Sequence, residues 1–181
     1  FTLSADGSTL AFFSTGHYNS NGQVLSDNGT DWQLHSVNLE SRVFSAMQFE
    51  FSVIGKLTLS SDGSHIAFLS TENITGSNSG FNLEGFVART GSLTSSIRQI
   101  EGARDAYELF GISNTGRAFF SSSNNPAGLN PTGQFQIFSS QFDRTGSLNQ
   151  LTSFTTSGSI QRIRLNSDGE TISFTGDGVI G

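Results

Sequence analysis

The chain has 181 residues, with 15 acidic side chains, 9 basic side chains, no cysteine and a formal net charge of −6. This length is enough for one sizeable core, and the lack of cysteine excludes disulfides and thiolate metal sites. The acidic composition, with Lys56 as the single lysine, argues against binding to a nucleic-acid backbone, which requires a basic surface. No apolar run approaches the length that spans a membrane, so we expect no membrane insertion.

A short phrase that occurs four times predicts a β-hairpin at each of its copies. In three copies an aspartate and a glycine stand between two apolar runs. This is a strong hairpin signal, because glycine takes a positive φ without steric cost and aspartate tolerates it. The third copy, residues 112–121, lacks the aspartate and is two residues shorter after its turn. The turn glycines are Gly7, Gly63, Gly116 and Gly169, which lie 56, 53 and 53 residues apart (7 to 63, 63 to 116 and 116 to 169).

Each hairpin is predicted to continue into a polar loop, a third strand, a short turn and a fourth strand. The hairpins begin near residues 3, 57, 110 and 163. The polar loops are residues 15–30, 71–83 and 122–133. The third strands are predicted at 31–37, 85–88 and 134–138, and the fourth strands at 97–100 and 148–152. No segment combines capping signals with a helical period of apolar residues, so no helix is predicted.

A period slightly above 50 residues with four antiparallel strands in each unit is typical of a β-propeller blade. We therefore predict an all-β fold, a β-propeller segment of about three and a half four-stranded antiparallel blades over residues 1–181. The 17 phenylalanines fit this fold, because every blade packs face to face on its neighbours. The alternative is a β-sandwich with chance similarity between its hairpins, but a sandwich does not require a period.

The repeat also predicts an incomplete ring, because known propellers have about four to eight blades. We expect the sequence to be a window on a longer chain of about six to eight blades, or a mature processed product. Missing blades of the same chain, or another copy, would then cover the apolar faces at the two ends.

The phrase Ser-x-Asp-Gly-x-x-Ile/Leu-Ala-Phe-x-Ser resembles the WD40-like, or PD40-type, repeat of TolB-like propellers. Residues 68–76 and 120–128 resemble the longer variant in large secreted bacterial proteins, in which a Gly-Asp-x-Asn-Gly-type loop precedes the third strand. This resemblance implies a propeller fold and a periplasmic or extracellular location. The corresponding loops here, 76–80 and 128–133, lack the aspartate of the family's loop, which removes the basis for inferring cation binding from it.

Strand parity predicts which end of the blades carries function. The turns after first and third strands lie at one end, which we call the turn face. The loops after second strands share the opposite end with the connections after fourth strands, and we call this end the loop face. Insertions on one face of a repeat protein often make its binding surface. The candidate binding residues on the loop face are His17, Tyr18, Asp27, Asp31, Trp32, Asn78 and Asn130.

The densest polar cluster on the loop face is residues 27–32. Its aspartates offer oxygen ligands of the kind that Ca²⁺ prefers, and the competing interpretation is a polar loop that enters a strand. Trp32 either stacks on a sugar or packs against the protein. The cluster does not have the spacing of a sialidase Asp-box, because Asp27 directly follows Ser26.

No catalytic constellation is found in the sequence. There is no Gly-x-Ser-x-Gly elbow, no phosphate-binding glycine loop and no metal-ligand spacing among His17, His35 and His65. We therefore predict a non-catalytic binding or scaffold propeller with a protein or glycan partner and no cofactor, Ca²⁺ being the one ion considered. The alternative is the propeller domain of a larger enzyme, of the peptidase-gating or metal-dependent lyase type that the resemblance allows. A third interpretation is that the protein is a purely structural part of a surface assembly.

Overall fold

The structure is a computed structural model that describes residues 1–19, 21–27, 31–49, 54–104, 106, 108–144, 147–155 and 160–176. For residues 26, 27, 54, 55, 161 and 162 it describes the main chain alone. These residues form three four-stranded antiparallel sheets, followed by a two-stranded sheet and a small additional hairpin. The predicted fold class, an all-β propeller segment of four-stranded blades, is confirmed.

The first sheet has the strand order β1-β2-β5-β6, with a small hairpin inserted between its second and third strands. Its strands are β1 (Thr2–Leu3), β2 (Thr9–Ser14), β5 (Gln33–Asn38) and β6 (Phe44–Gln48), and the inserted hairpin is β3 (Gly16–Tyr18) with β4 (Val24–Asp27). This hairpin lies in the segment 15–30 that the sequence predicted as a polar loop, so that prediction is wrong in part.

The second sheet consists of β7 (Ile54–Leu59), β8 (His65–Ser70), β9 (Glu84–Arg89) and β10 (Arg98–Gln99). A 3₁₀ turn (Thr90–Ser92) and a single α-helical turn, α1 (Leu93–Ser96), join β9 to β10, where the sequence predicted only a tight turn. The helical turn forms because Leu93 is fully buried in the core between the first two sheets. Its burial contributes on the order of 2 kcal/mol, which outweighs the weak local propensity of the flanking serines and threonine.

The third sheet consists of β11 (Glu108–Ile112), β12 (Arg117–Ser122), β13 (Gln136–Gln141) and β14 (Asn149–Gln150), with a 3₁₀ turn (Pro126–Gly128) in its long loop. The two-stranded sheet is β15 (Ile160–Leu165) and β16 (Ile172–Gly176). The four-residue α1 is the longest helical segment described, so none of the described helical segments has the length and apolarity needed to cross a membrane.

A stacked ring pair occupies the same cross-strand position in each four-stranded sheet. Phe68 lies opposite Phe86 with ring centroids 5.7 Å apart, and Phe120 lies opposite Phe138 at 5.6 Å. In the first sheet Phe12 stacks on a histidine, His35, at 5.1 Å. These pairs align the repeats and show that the third copy is one residue shorter than the others after its turn, where the sequence suggested two.

The second sheet is buried on both faces, as a propeller blade requires. Ile66, Phe68 and Phe86 belong to a core cluster shared with the first sheet. The intervening residues Ala67 and Val87 belong to the cluster shared with the third sheet. Because successive side chains of a strand point to opposite faces, each strand supplies both interfaces.

The repeated aspartate has a different role from the predicted one. Its backbone does not take a positive φ. In the first copy the residue with a positive φ is Gly7, at 74°. Instead, the Asp6 carboxylate accepts hydrogen bonds from the Ser4 hydroxyl at 2.6 Å and from the Ser8 N–H at 2.9 Å. The Ser4 hydroxyl oxygen in turn accepts the N–H of Thr9 at 2.9 Å, at the start of the second strand. The serine of the phrase is therefore as important as the aspartate, a role that sequence reasoning missed.

The same arrangement closes the second copy of the turn. Burial raises the pKa of Asp62, but hydrogen bonds from the Ser64 N–H and from the Ser60 and Ser64 hydroxyls lower the pKa below its usual value. Ser60 is fully buried, and its hydroxyl oxygen accepts the N–H of His65 at 2.9 Å. In the third and fourth copies, the side-chain oxygens of Ser113 and Asn166 accept the N–H groups of Arg117 and Thr171 in the same way.

Candidate binding face

Hydrogen bonds between successive turns fix the turn face, and with it the loop face. The donors are the N–H groups of Asp6, Asp62 and Asn114, and their acceptors on the next turn are the Ser61 carbonyl (3.2 Å), the Asn114 side-chain oxygen (3.1 Å) and the Asp168 carbonyl (3.3 Å). All four turns therefore meet at one end of the sheets. Because the strands are antiparallel, the loops that follow β2, β8 and β12 leave from the opposite end, as strand parity predicted.

His17 and Tyr18 lie in the small hairpin, which starts from the loop face and runs back along the first sheet toward Phe44. The Tyr18 ring contacts the edge of His35, with centroids 4.9 Å apart, and stacks on Phe44 at 6.1 Å. The side-chain amide of Gln33 lies 3.1 Å from Nδ1 of His17. Nε2 of His17 is buried without a hydrogen-bond partner among the described residues. Packing accounts for both side chains, so the structure brings these two candidates together as a cover over the first sheet.

His35 is the buried residue beneath this hairpin. Its side chain is fully buried, and neither ring nitrogen has a hydrogen-bond partner of good geometry in the described part of the chain. Burial is the main cause that lowers the pKa of His35, and the neighbouring His17 lowers the pKa as well. The main chain of Gly16 raises the pKa, but by less than burial lowers it. The ring is therefore held neutral, and it packs as an aromatic residue.

The predicted polar cluster at residues 27–32 is only partly within the described residues. The side chain of Asp27 lies outside them, and the carboxylate of Asp31 accepts a long hydrogen bond of 3.4 Å from Gln48. Trp32 is 39% exposed and stands just before β5. In the described part of the chain no three His, Cys, Asp or Glu side chains converge as they would around a metal ion. Calcium binding at this cluster stays a prediction.

Asn78 and Asn130 have a different placement from the predicted one, because both are buried inside their loops. They are 2% and 1% exposed. The Asn78 amide donates to the carbonyls of Thr71 and Asn82, at 3.1 and 2.7 Å, and its side-chain oxygen accepts the N–H of Asn82. The amide of Asn130 binds three carbonyls of its own loop in the same pattern. These two asparagines hold the loops from within and have no amide hydrogen left for a ligand.

Apolar side chains are exposed on the loop face instead, and sequence reasoning did not single them out except for Trp32. They are Trp32 (39% exposed), Phe81 (56%), Leu129 (41%) and Phe135 (38%). Each lies in or beside one of the three polar loops. The available signal was a large apolar residue within a Gly/Asn/Ser-rich segment, where no strand pattern explains it.

The described residues of the loop face are mildly acidic. Asp31, Glu72 and Glu101 lie on or beside its loops, and Arg104 is the one basic residue among the described residues there. Their formal charge is −2, within a chain whose formal net charge is −6.

Comparison with solved structures identifies the architecture. The crystal structure of TolB from Acinetobacter baumannii superposes on 95% of this chain with a TM-score of 0.56 and 18% sequence identity. The chain has the fold of a TolB-type β-propeller. It spans 36% of the length of that TolB chain, which is about a third. No protein-family model and no curated protein sequence matches the chain.

A second concave surface of this propeller segment lies along its innermost strands. The cavity has a volume of about 440 Å³ and is lined by residues of β7, β11 and β15. Lys56 and Glu108 form an ion pair of 2.5 Å across two blades there, and both side chains are almost half exposed. An exposed pair of this kind contributes less than about 1 kcal/mol.

Proposed function

We propose that this propeller segment is a non-catalytic module that binds a protein partner through its loop face. The observation that carries the proposal is the set of exposed apolar side chains, such as Trp32, Phe81 and Leu129, on polar loops. Exposed aromatic and aliphatic residues surrounded by polar groups are typical of protein interfaces, where aromatic anchors supply much of the affinity.

A protein fits this face better than a glycan. Sugar recognition relies on aromatic stacking with polar groups around it, whereas Leu129 is an exposed aliphatic side chain. The alternative of a propeller domain in a larger enzyme has no observation in its favour among the described residues. We also propose a periplasmic or extracellular location, and completion of the ring by further blades or by another copy. Both rest on the resemblance of the repeat.

Photocross-linking in the cells that produce the protein tests the proposal. A photoreactive phenylalanine analogue replaces Trp32 or Leu129 on the loop face. In a matched control it replaces Val43, which is 56% exposed on the turn face. We expect both loop-face positions to give the same discrete cross-linked protein and Val43 to give none. Equal cross-linking from both faces, or none from the loop face, would overturn the proposal.

A further inference from the structure

Phe81 has an unusual backbone conformation for a bulky residue. Its φ is 51°, in the left-handed region that favours glycine. The neighbouring repeat shows which residue this position ordinarily takes. The N–H of Phe81 donates to the carbonyl of Asn78 at 3.1 Å, and the N–H of Gly133 donates to the carbonyl of Asn130 at 3.2 Å. Phe81 therefore stands where the equivalent loop has a glycine with φ of 65°.

Burial does not compensate for this strain, because the side chain of Phe81 is 56% exposed. An exposed aromatic ring gains little from folding, and a left-handed φ makes phenylalanine less favourable than glycine at the same position. Strained positions of this kind concentrate at binding and switch sites, where the geometry serves a purpose other than stability. Folding alone does not account for a phenylalanine here.

The side chain of Phe81 borders a cleft between the first and second sheets, and five apolar and four polar residues line it. The cleft has a volume of about 480 Å³. Its walls include Met47, Phe49, Ile74 and Ile97, which reach it from both sheets. Met47 and Phe49 are 6% and 2% exposed, so the floor of the cleft is the core itself. This volume is enough for a large apolar side chain of a partner.

The charge around the cleft indicates what kind of segment carries that side chain. Glu72 is the one charged residue among the described residues that line it. The described residues of the loop face carry three acidic side chains and one arginine, and the whole chain has a formal net charge of −6. A basic segment approaches such a surface with favourable long-range electrostatics, whereas an acidic one is repelled.

We propose that the cleft beside Phe81 receives a large apolar side chain from a basic polypeptide segment, with the Phe81 ring as its packing partner. This inference rests on the proposed function, because it names the class of partner that the loop face binds. The strained backbone of Phe81 then has a function, because it holds the ring at the edge of the cleft.

A phage-displayed library of random 12-residue peptides, selected on the full chain, tests the inference. We expect the enriched peptides to carry a net positive charge and at least one large apolar residue, and to bind more weakly as the salt concentration rises. Phe81→Gly restores the residue that the equivalent loop uses. It should leave the melting temperature within about 2 °C of the parent, because relief of strain offsets the added chain entropy.

The same variant should weaken binding of the enriched peptides at least tenfold, whereas Val43→Ala on the turn face should not change it. Peptides that bind Phe81→Gly as well as the parent, or that show no basic preference, would overturn the inference. If those peptides still lose affinity with Trp32→Ala or Leu129→Ala, the loop face remains a protein-binding surface and only the cleft assignment fails. If no variant on the loop face affects them, the proposed function fails as well.

Discussion

At the scale of single residues, the repeat provides an internal reference for each position. His35 stacks on Phe12 at the position where the next two sheets have Phe86 and Phe138. In the described part of the chain, its two ring nitrogens are buried without a hydrogen bond of good geometry, and the nearest polar group is the main chain of Gly16. Unsatisfied buried polar atoms each cost about 1–3 kcal/mol, so this histidine is a less stable choice than phenylalanine.

His35→Phe is therefore expected to raise the free energy of unfolding by about 1–2 kcal/mol at neutral pH, less any cost of the slightly larger ring. Because burial lowers the pKa of His35 in the folded state, the unfolded chain binds the proton more readily, and stability falls as the pH drops below about 6.5. In the variant, the decrease in stability on acidification should be smaller. It should not disappear, because the pKa of His65 is also lowered in the folded state. Denaturant titrations between about pH 7.5 and 5 measure both effects.

The reverse change serves as the control for that experiment. Phe86→His places an imidazole at the fully buried equivalent position of the second sheet. It should lower the free energy of unfolding by about 2–4 kcal/mol, through lost apolar contact and unsatisfied nitrogens. A His35→Phe protein that is no more stable than the parent would show that the ring nitrogens are satisfied in a way that the repeat comparison does not reveal.

The serine of the repeated phrase gives a second prediction at this scale. Ser60→Ala removes the acceptor of the His65 N–H and one donor to Asp62, both inside the turn. We expect a loss of about 1–3 kcal/mol in the free energy of unfolding. Ser61→Ala is a matched control, because the Ser61 hydroxyl makes no hydrogen bond within the described residues, and it should change stability by less than about 0.5 kcal/mol. Equal effects of the two substitutions would contradict the role given to Ser60.

At the scale of elements, the long loops are built around buried asparagine side chains. The side-chain amides of Asn78 and Asn130 each donate to carbonyls of their own loop. Their backbone N–H groups donate to the side-chain oxygen of the asparagine five positions earlier, Asn73 or Asn125. A loop of this length without such bonds would leave its backbone groups to water and lose a defined shape. The asparagines therefore determine the shape of the surface on which the exposed apolar residues stand.

Asn78→Ala should loosen the loop 71–83 while the sheets remain folded. Loss of one amide with several bonds predicts faster amide hydrogen exchange in residues 73–82 and a stability loss of about 1–3 kcal/mol. Ser79→Ala changes an exposed neighbour and provides the control. Exchange that rises evenly over the whole second sheet, rather than in the loop, would contradict the local role of Asn78.

At the scale of the whole molecule, the sequence predicted what repeats, and the structure was needed for what does not. Turn glycines at a constant period indicated the blades. Tertiary contacts decided the rest: the hairpin β3–β4 has too few residues for an alternating pattern, and α1 forms because Leu93 is covered by a neighbouring sheet. The candidate residues were chosen as polar groups on loops. Whether a loop residue such as Asn78 faces inward, or one such as Phe81 faces outward, depends on contacts that no local pattern records.

The burial of both faces of the second sheet fixes how this architecture gains stability. Each four-stranded sheet joins its neighbours through one interface on either side, so an open row of blades has one interface fewer than it has blades. A closed ring has as many interfaces as blades. Closing the ring therefore adds the stabilising free energy of one blade–blade interface, whatever the number of blades. This one interface is the largest share of the total when the blades are few.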